Sequence, residues 1–83
     1  MCNRRKVIKD AGNFRFVKIT GQFTQYAIQY KYTWDNPKYH MVKDQLTEYL
    51  NTRSWQHGDW CEFYIPNKKQ CNKQFTYCVL KWA

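Results

Sequence analysis

The chain has 83 residues, of which 14 are Lys or Arg and 6 are Asp or Glu, so its formal net charge is +8. This length allows one domain and excludes a second core, and no apolar run reaches the ~18 residues that cross a bilayer. No apolar stretch follows the basic start as in a signal peptide, so the sequence predicts a cytoplasmic protein, in the host cytoplasm if a phage encodes it.

The charge is divided unevenly along the chain. Residues 1–34 carry a net charge of +6, residues 35–62 carry −2, and residues 63–83 carry +4. Four Trp, seven Tyr and five Phe side chains are interleaved with these charges. Because aliphatic residues are few, many of these rings are required for the core. A basic surface that also exposes rings suits a polyanionic partner.

The first predicted elements are a basic arm and a β-hairpin. Residues 1–10 are charged and form the segment most prone to disorder, whereas residues 11–83 form the single domain. Residues 14–34 are rich in β-branched and aromatic types and contain a turn at Gly21, which predicts a hairpin. The second strand of this hairpin alternates, and one set of its side chains is predicted to face the core: Tyr26, Ile28, Tyr30, Tyr32 and Trp34.

The middle of the chain predicts one helix, over about residues 37–52. Asn36 is a suitable N-cap and Pro37 suits the first turn, and apolar residues follow at helical spacing. After a loop, residues 60–65 and 74–82 are predicted to pair as a second hairpin with a polar tip. The order ββαββ predicts a small two-layer α+β sandwich, in which four antiparallel strands carry one helix on one face.

The cysteines and histidines do not predict a metal site or a cofactor. Four potential zinc ligands occur late in the chain: His57, Cys61, Cys71 and Cys78. No two of them have the short spacing of a zinc knuckle. In one register of the predicted second hairpin Cys61 lies opposite Cys78, and in a register shifted by one it lies opposite Tyr77. Cys61 and Cys78 are then either two buried thiols, as is usual in a reducing cytoplasm, or a cross-strand disulfide.

Catalysis receives little support from the sequence. His40 and His57 could each act as a general base near a phosphodiester, which makes a small RNase toxin an alternative hypothesis. No nucleophile–base pair and no paired carboxylates can be read from the residue pattern. We therefore predict a protein that is not an enzyme, and assign no catalytic residue.

The principal prediction is a small basic protein that binds nucleic acid, either DNA or RNA, through the phosphate backbone and by stacking on bases. The concentration of charge at the two ends favours this function over simple solubility. Phosphate contacts are assigned to ten cations: Arg4, Arg5, Lys6, Lys9, Arg15, Lys18, Lys31, Lys68, Lys69 and Lys73. Base stacking is assigned to four rings: Phe14, Phe16, Tyr64 and Tyr77.

The competing hypothesis is that the domain binds and inhibits a host enzyme that processes nucleic acids. Trp and Tyr commonly anchor protein interfaces, and the candidates here are Trp55, Trp60 and Tyr64. An acidic surface on such an enzyme would attract the same cations as DNA or RNA does. The small size also suits a phage or mobile-element product, acting as a monomer or a homodimer.

Overall fold

Five strands form one antiparallel sheet, and two helices accompany it. A computed structural model describes residues 4–66 and 68–82, and only the backbone of Lys68. The elements are β1 (Arg4–Ala11), β2 (Phe14–Thr20), β3 (Gln25–Lys31), α1 (Tyr39–Leu50), β4 (Ser54–His57), β5 (Trp60–Tyr64), a 3₁₀ turn (Lys68–Gln70) and α2 (Cys71–Trp82). The strand order is β1-β2-β3-β5-β4. The fold is α+β as predicted, but it has one strand and one helix more than the predicted ββαββ arrangement.

The segment predicted as a basic arm contains the edge strand β1. β1 pairs antiparallel with β2, and its register shifts at a bulge between Val7 and Lys9. An edge strand has solvent on one flank, where charged residues and bulges discourage pairing with other chains. β1 therefore needs no alternating apolar pattern, which is why the sequence did not predict it. Residues 1–3 of the arm lie outside the described residues.

The predicted hairpin in residues 14–34 is confirmed as the pair β2 and β3. Ile28 and Tyr30 are buried in the core, and Tyr26 packs against it, as the alternation predicted. Tyr32 and Trp34 are instead 41% and 87% exposed. The predicted core face ends early because β3 ends at Lys31, so the alternation no longer places side chains beyond that residue.

The predicted helix is confirmed as α1, which begins two residues after and ends two residues before the predicted bounds. The residue that immediately precedes the helix is Lys38, which makes no side-chain cap, and Asn36 lies two residues earlier. Its Oδ1 accepts a hydrogen bond from the backbone N–H of Lys38 at 3.1 Å, a contact like that of an N-cap, in the turn that leads into the helix. The helix ends at Asn51, which has the left-handed φ of 52° and donates its N–H to the Thr47 carbonyl. α1 buries four residues against the sheet: Tyr39, Val42, Leu46 and Leu50.

The predicted second hairpin is wrong. β5 pairs with β3 on one side and with β4 on the other, and the residues expected to pair with it form α2. Cys71, Phe75 and Cys78 are buried at spacings of four and three residues, which is a helical period. Cys78 therefore does not face Cys61 across a hairpin, and the three cysteines of the described residues are free thiols.

Two shorter segments also differ from the prediction. Ser54–His57, expected to be a loop, is the edge strand β4, and Gly58 in the following turn has the left-handed φ of 62°. The expected hairpin tip contains the 3₁₀ turn Lys68–Gln70, which leads directly into α2. Asn67 of that tip lies outside the described residues. Both segments are short and polar, so neither carries a clear periodic pattern.

The apolar faces of both helices pack against one face of the sheet, which we call the helix side. The core there contains Phe14, Phe16, Ile28, Cys61 and Phe63 of the strands. Aromatic rings pack against each other in this core: Phe16 of β2 and Phe75 of α2 are stacked, with their ring centroids 5.4 Å apart. The opposite face, which we call the open side, carries a smaller cluster of Val17, Ile19 and Ala27 against Tyr64. Within the described residues, neither helix has the length and apolarity needed to cross a membrane.

Candidate nucleic-acid interface

Two of the four predicted stacking rings lie inside the core. Phe14 and Phe16 are 0% and 1% exposed. They occupy alternate positions of β2 that both point to the helix side, where Phe14 is stacked on Tyr30 at 4.7 Å between centroids. A ring buried in this way presents no face to a base, so the assignment of Phe14 and Phe16 to base stacking is wrong.

The other two predicted rings are partly covered. Tyr64 is half-buried on the open side, and burial is the main reason that its pKa is raised. Tyr77 is exposed on α2 but is stacked on Tyr49 at 4.6 Å between centroids. The Nζ atom of Lys81 also lies 5.6 Å from the Tyr77 ring centroid. Neither ring has both faces free, so neither can insert between two bases.

A groove on the helix side brings the two basic ends of the sequence together. It has a volume of about 490 Å³ and runs between β1 and the start of α2, over a floor provided by β2 and β3. We call it the basic groove and define it by its lining residues: Ile8, Phe16, Tyr26, Lys69, Cys71 and Asn72. Among the described residues that line it, none is acidic.

Three cations of β1 lie on the helix side, beside this groove. Lys6 is opposite Lys18 in the β1–β2 register, and Lys9 is opposite Phe16. Cross-strand partners share a face of the sheet, so both lysines point to the same side as the buried Phe16. Arg4 precedes Lys6 by two positions in the strand and shares its face. With Lys18, four of the ten predicted cations thus share the face of the sheet on which the groove lies, and two of them are cross-strand partners of residues that line it.

Lys6 and Lys18 form a cross-strand pair of like charge. Such a pair, directly opposite across two strands, destabilises a sheet unless something compensates for it. Tyr26 is the partner of Lys18 on β3 and continues the same row, and its ring is stacked on Phe16 at 5.6 Å between centroids. An anion held between the two ammonium groups would remove their repulsion. Tyr26 was predicted as a core residue, and its place beside Lys18 depends on the observed register.

The second border of the groove comes from the end of the chain. Lys69 lines the groove just before α2, and Lys73 is exposed in the first turn of α2. Lys68 lies in the 3₁₀ turn, and its side chain is outside the described part of the structure. The sequence predicted these lysines at the tip of a second hairpin. The helical return of the chain brings Lys69 to the same groove as β1.

Three predicted cations, Arg5, Arg15 and Lys31, lie on the open side instead, and the first two belong to a buried polar network. Arg5 donates from Nε to Oε2 of Glu62 at 2.9 Å and from a terminal nitrogen to Oε1 at 3.0 Å. Gln29 donates from Nε2 to the same Oε2 at 2.8 Å. Arg15 donates two hydrogen bonds to Oε1 of Gln29, at 2.7 and 3.2 Å.

The ion pair of this network crosses the open side of the sheet. Arg5 is in β1 and Glu62 is in β5, and two strands lie between them, which is about 14 Å at the usual spacing of strands. The two side chains meet at 2.9 Å, so the ion pair connects the edge strand β1 to β5 across β2 and β3. On the same face, Val17, Ile19 and Ala27 are buried with Tyr64 packed against them.

Glu62 is an ionised carboxylate although it is buried. Burial alone raises the pKa of this group, but the hydrogen bonds from Arg5 and Gln29, with the charge of Arg5, lower it below its ordinary value. The hydrogen bond to Glu62 likewise raises the pKa of Arg5. Arg5 is therefore occupied by an internal partner, which separates it from the groove cations of the same strand.

The three rings predicted as a protein interface share the open side. Trp55 is the cross-strand partner of Glu62, and Trp60 and Tyr64 lie two positions before and after Glu62 in β5. The Cζ atom of Arg15 is 3.8 Å from the centroid of the Trp60 ring, and Nζ of Lys31 is 6.0 Å from it. We call the group of Arg15, Lys31, Trp55 and Trp60 the open-side platform.

The two histidines lie on opposite sides of the sheet. His57 is the partner of Trp60 and points to the open side, whereas His40 is exposed on α1 and lies near Gln56 on the helix side. They therefore do not form an acid–base pair with each other. In residues 4–66 and 68–82, no group of three or more His, Cys, Asp or Glu side chains could hold a metal ion.

The buried cysteines lead to a prediction about thiol chemistry. Burial raises the pKa of the Cys78 thiol to about 12, and the thiolate is the form that reacts. We expect iodoacetamide at about pH 8 to leave Cys78 unmodified in the native protein and to modify it after denaturation. Peptide mass spectrometry would measure both. Rapid modification of Cys78 in the native protein would contradict its position in the core.

Comparisons of the chain with models of protein families, with curated proteins and with solved structures gave no match.

Proposed function

We propose that this protein binds nucleic acid through the phosphate backbone at the basic groove. The observation that carries the proposal is the convergence of cations from distant parts of the sequence on one groove. Lys69 lines the groove, Lys9 and Lys18 are the cross-strand partners of its lining residues Phe16 and Tyr26, and Lys6 is opposite Lys18. Phosphate contacts by Lys and Arg supply most of the affinity of sequence-independent nucleic-acid binding.

The Lys6–Lys18 pair supports an anionic ligand in particular. Two ammonium groups directly opposite each other raise the free energy of the unbound protein, and a phosphate between them lowers it. Asp10, the one acid before residue 35, does not supply this compensation. It faces Arg15 on the open side and accepts a hydrogen bond from the N–H of Gly12 at 3.1 Å.

The proposed function is binding and not catalysis. Among the described residues, those that line the groove offer a lysine, an amide, a buried thiol and rings, and none of them is a histidine or a carboxylate that could transfer a proton. DNA and RNA present the same charged backbone to such a groove, so the cations do not discriminate between them.

The test is a double substitution, Lys6→Ala with Lys18→Ala, measured by fluorescence anisotropy with labelled oligonucleotides over a range of salt concentrations. Removing two phosphate contacts should reduce the slope of log K against log salt by about 1.5–2 and weaken binding at least about tenfold. Thermal stability should not decrease, because the substitution removes a repulsion.

The matched control is Lys38→Ala with Lys43→Ala, which removes the same charge from the start of α1. If the groove is the site, the control should reduce affinity much less than the groove variant and leave the salt slope nearly unchanged. Equal losses in the two double variants would show that only net charge matters. Wild-type binding that is independent of salt would rule out a phosphate site altogether.

A further inference from the structure

The open-side platform has the composition and exposure of a surface that stacks bases. Trp55 is 56% exposed on the edge strand β4, and Trp60 is partly exposed on the neighbouring strand. Neither helix covers these rings, since the apolar faces of both helices pack on the helix side. Aromatic rings on an open sheet can stack successive unpaired bases without reading their sequence.

The buried network holds part of this platform in place. The two hydrogen bonds from Arg15 to Gln29 fix its guanidinium over the Trp60 ring, and Gln29 is in turn held by Glu62. A buried ion pair contributes little more stability than apolar side chains of similar volume. The main effect of the network is therefore orientation, and a pre-oriented ring and guanidinium lose little conformational entropy when a ligand binds.

The charges of the platform favour an anionic occupant. Arg15 and Lys31 both lie near Trp60, while Arg5 neutralises Glu62, the buried acid below them. Asp59, in the turn before Trp60, is the nearest exposed acid in the sequence. A second copy of this chain would bring the same cations against themselves, and like charges across an interface disfavour association.

We infer that the open-side platform stacks unpaired bases and so makes the protein prefer single-stranded to double-stranded nucleic acid. This inference rests on the proposed function, because the basic groove supplies the phosphate contacts for either form. Bases in a duplex are stacked on each other and present no free face, whereas a single strand can place its bases on Trp55 and on the Arg15 guanidinium that covers the Trp60 ring. The groove contributes affinity, and the platform contributes the choice of strand form.

The experiment compares a labelled single strand of about 15 nucleotides, as poly-dT and as poly-U, with a duplex of the same length. The wild type should bind the single strands at least about tenfold more tightly than the duplex. Trp55→Ala should weaken single-strand binding at least about fivefold and leave duplex binding unchanged. The single strands should also quench tryptophan fluorescence in the wild type, and less so in Trp55→Ala.

The matched control is Trp34→Ala, which removes an even more exposed ring, at 87%, from the connection between β3 and α1, outside both surfaces. It should bind both forms as the wild type does. Equal binding of single strand and duplex by the wild type, or no effect of Trp55→Ala on either, would overturn the stacking role and leave the platform as a candidate protein interface. If the Lys6 and Lys18 substitutions still weaken both forms, the proposed function stands and only this inference fails.

Discussion

Replacing Glu62 with alanine is expected to lower the free energy of unfolding by about 3 kcal/mol. The substitution removes the acceptor of three hydrogen bonds, two from Arg5 and one from Gln29. Breaking a buried ion pair costs about 3–5 kcal/mol because the remaining partner stays desolvated. We expect the lower end of that range, because the Arg5 side chain is 27% exposed and can be hydrated in part.

Denaturant unfolding followed by circular dichroism at neutral pH would measure this loss. Asp59→Ala is the matched control, since it removes an exposed carboxylate three residues away and should change stability by less than about 0.5 kcal/mol. Similar losses in both variants would show that the network does not hold β1 to the sheet. Glu62→Gln should fall between them, because it keeps an acceptor for Gln29 but loses the charge that Arg5 requires.

Glu62 also makes the free energy of unfolding depend on pH. Folding lowers the pKa of Glu62, so the unfolded chain binds more protons at acidic pH than the native state does. The stability that Glu62 contributes is complete above its ordinary pKa of about 4.3 and is lost as the pH falls toward the lower pKa of the folded state. The stability difference between the wild type and Glu62→Gln should therefore shrink below about pH 4. A difference that stays constant to about pH 3 would contradict the lowered pKa.

Replacing Phe75 with alanine is expected to lower the free energy of unfolding by about 3–5 kcal/mol, the usual cost of removing a buried ring. Phe75 is buried on the inner face of α2, where it is stacked on Phe16 of β2. It therefore connects the last helix to the strand that carries the centre of the core. The cavity left by the ring lies between elements that cannot close on it without moving α2.

Leu80→Ala is the matched control for the helical assignment of this segment. Leu80 is 82% exposed on the outer face of α2, and alanine favours a helix at least as well as leucine does. This variant should change stability by less than about 0.5 kcal/mol. A large loss on replacing Leu80, or a small one on replacing Phe75, would show that the segment does not present these faces.

The sequence predicted the elements that depend on the pattern of neighbouring residues. The alternation of Tyr26, Ile28 and Tyr30 predicted one buried face of β3, and Asn36 followed by Pro37 predicted the start of a helix within three residues. These signals succeed because neighbouring residues bury one face against whatever core is present.

α2 was predicted as a strand because aromatic and β-branched residues favour strands. The spacing of Cys71, Phe75 and Cys78 was the competing helical signal. The packing of these residues against the sheet outweighed the local preference. β1 was missed for a different reason, since an edge strand made of charged residues shows no burial pattern in the sequence.

For the candidate site, the sequence determined which side chains carry charge, and the tertiary structure decided where they lie. Lys6 and Lys69 are distant in the chain and lie on the same side of the sheet, because β1 pairs with β2 while α2 returns over that side. Arg5 lies between Arg4 and Lys6 in the sequence, but its side chain points to the other face of the sheet. Its charge is neutralised there by Glu62, 57 residues away. Strand alternation puts Arg5 on the opposite face from its two neighbours, and the long-range ion pair neutralises its charge. Neither can be predicted from the sequence until the register and the partner strand are known.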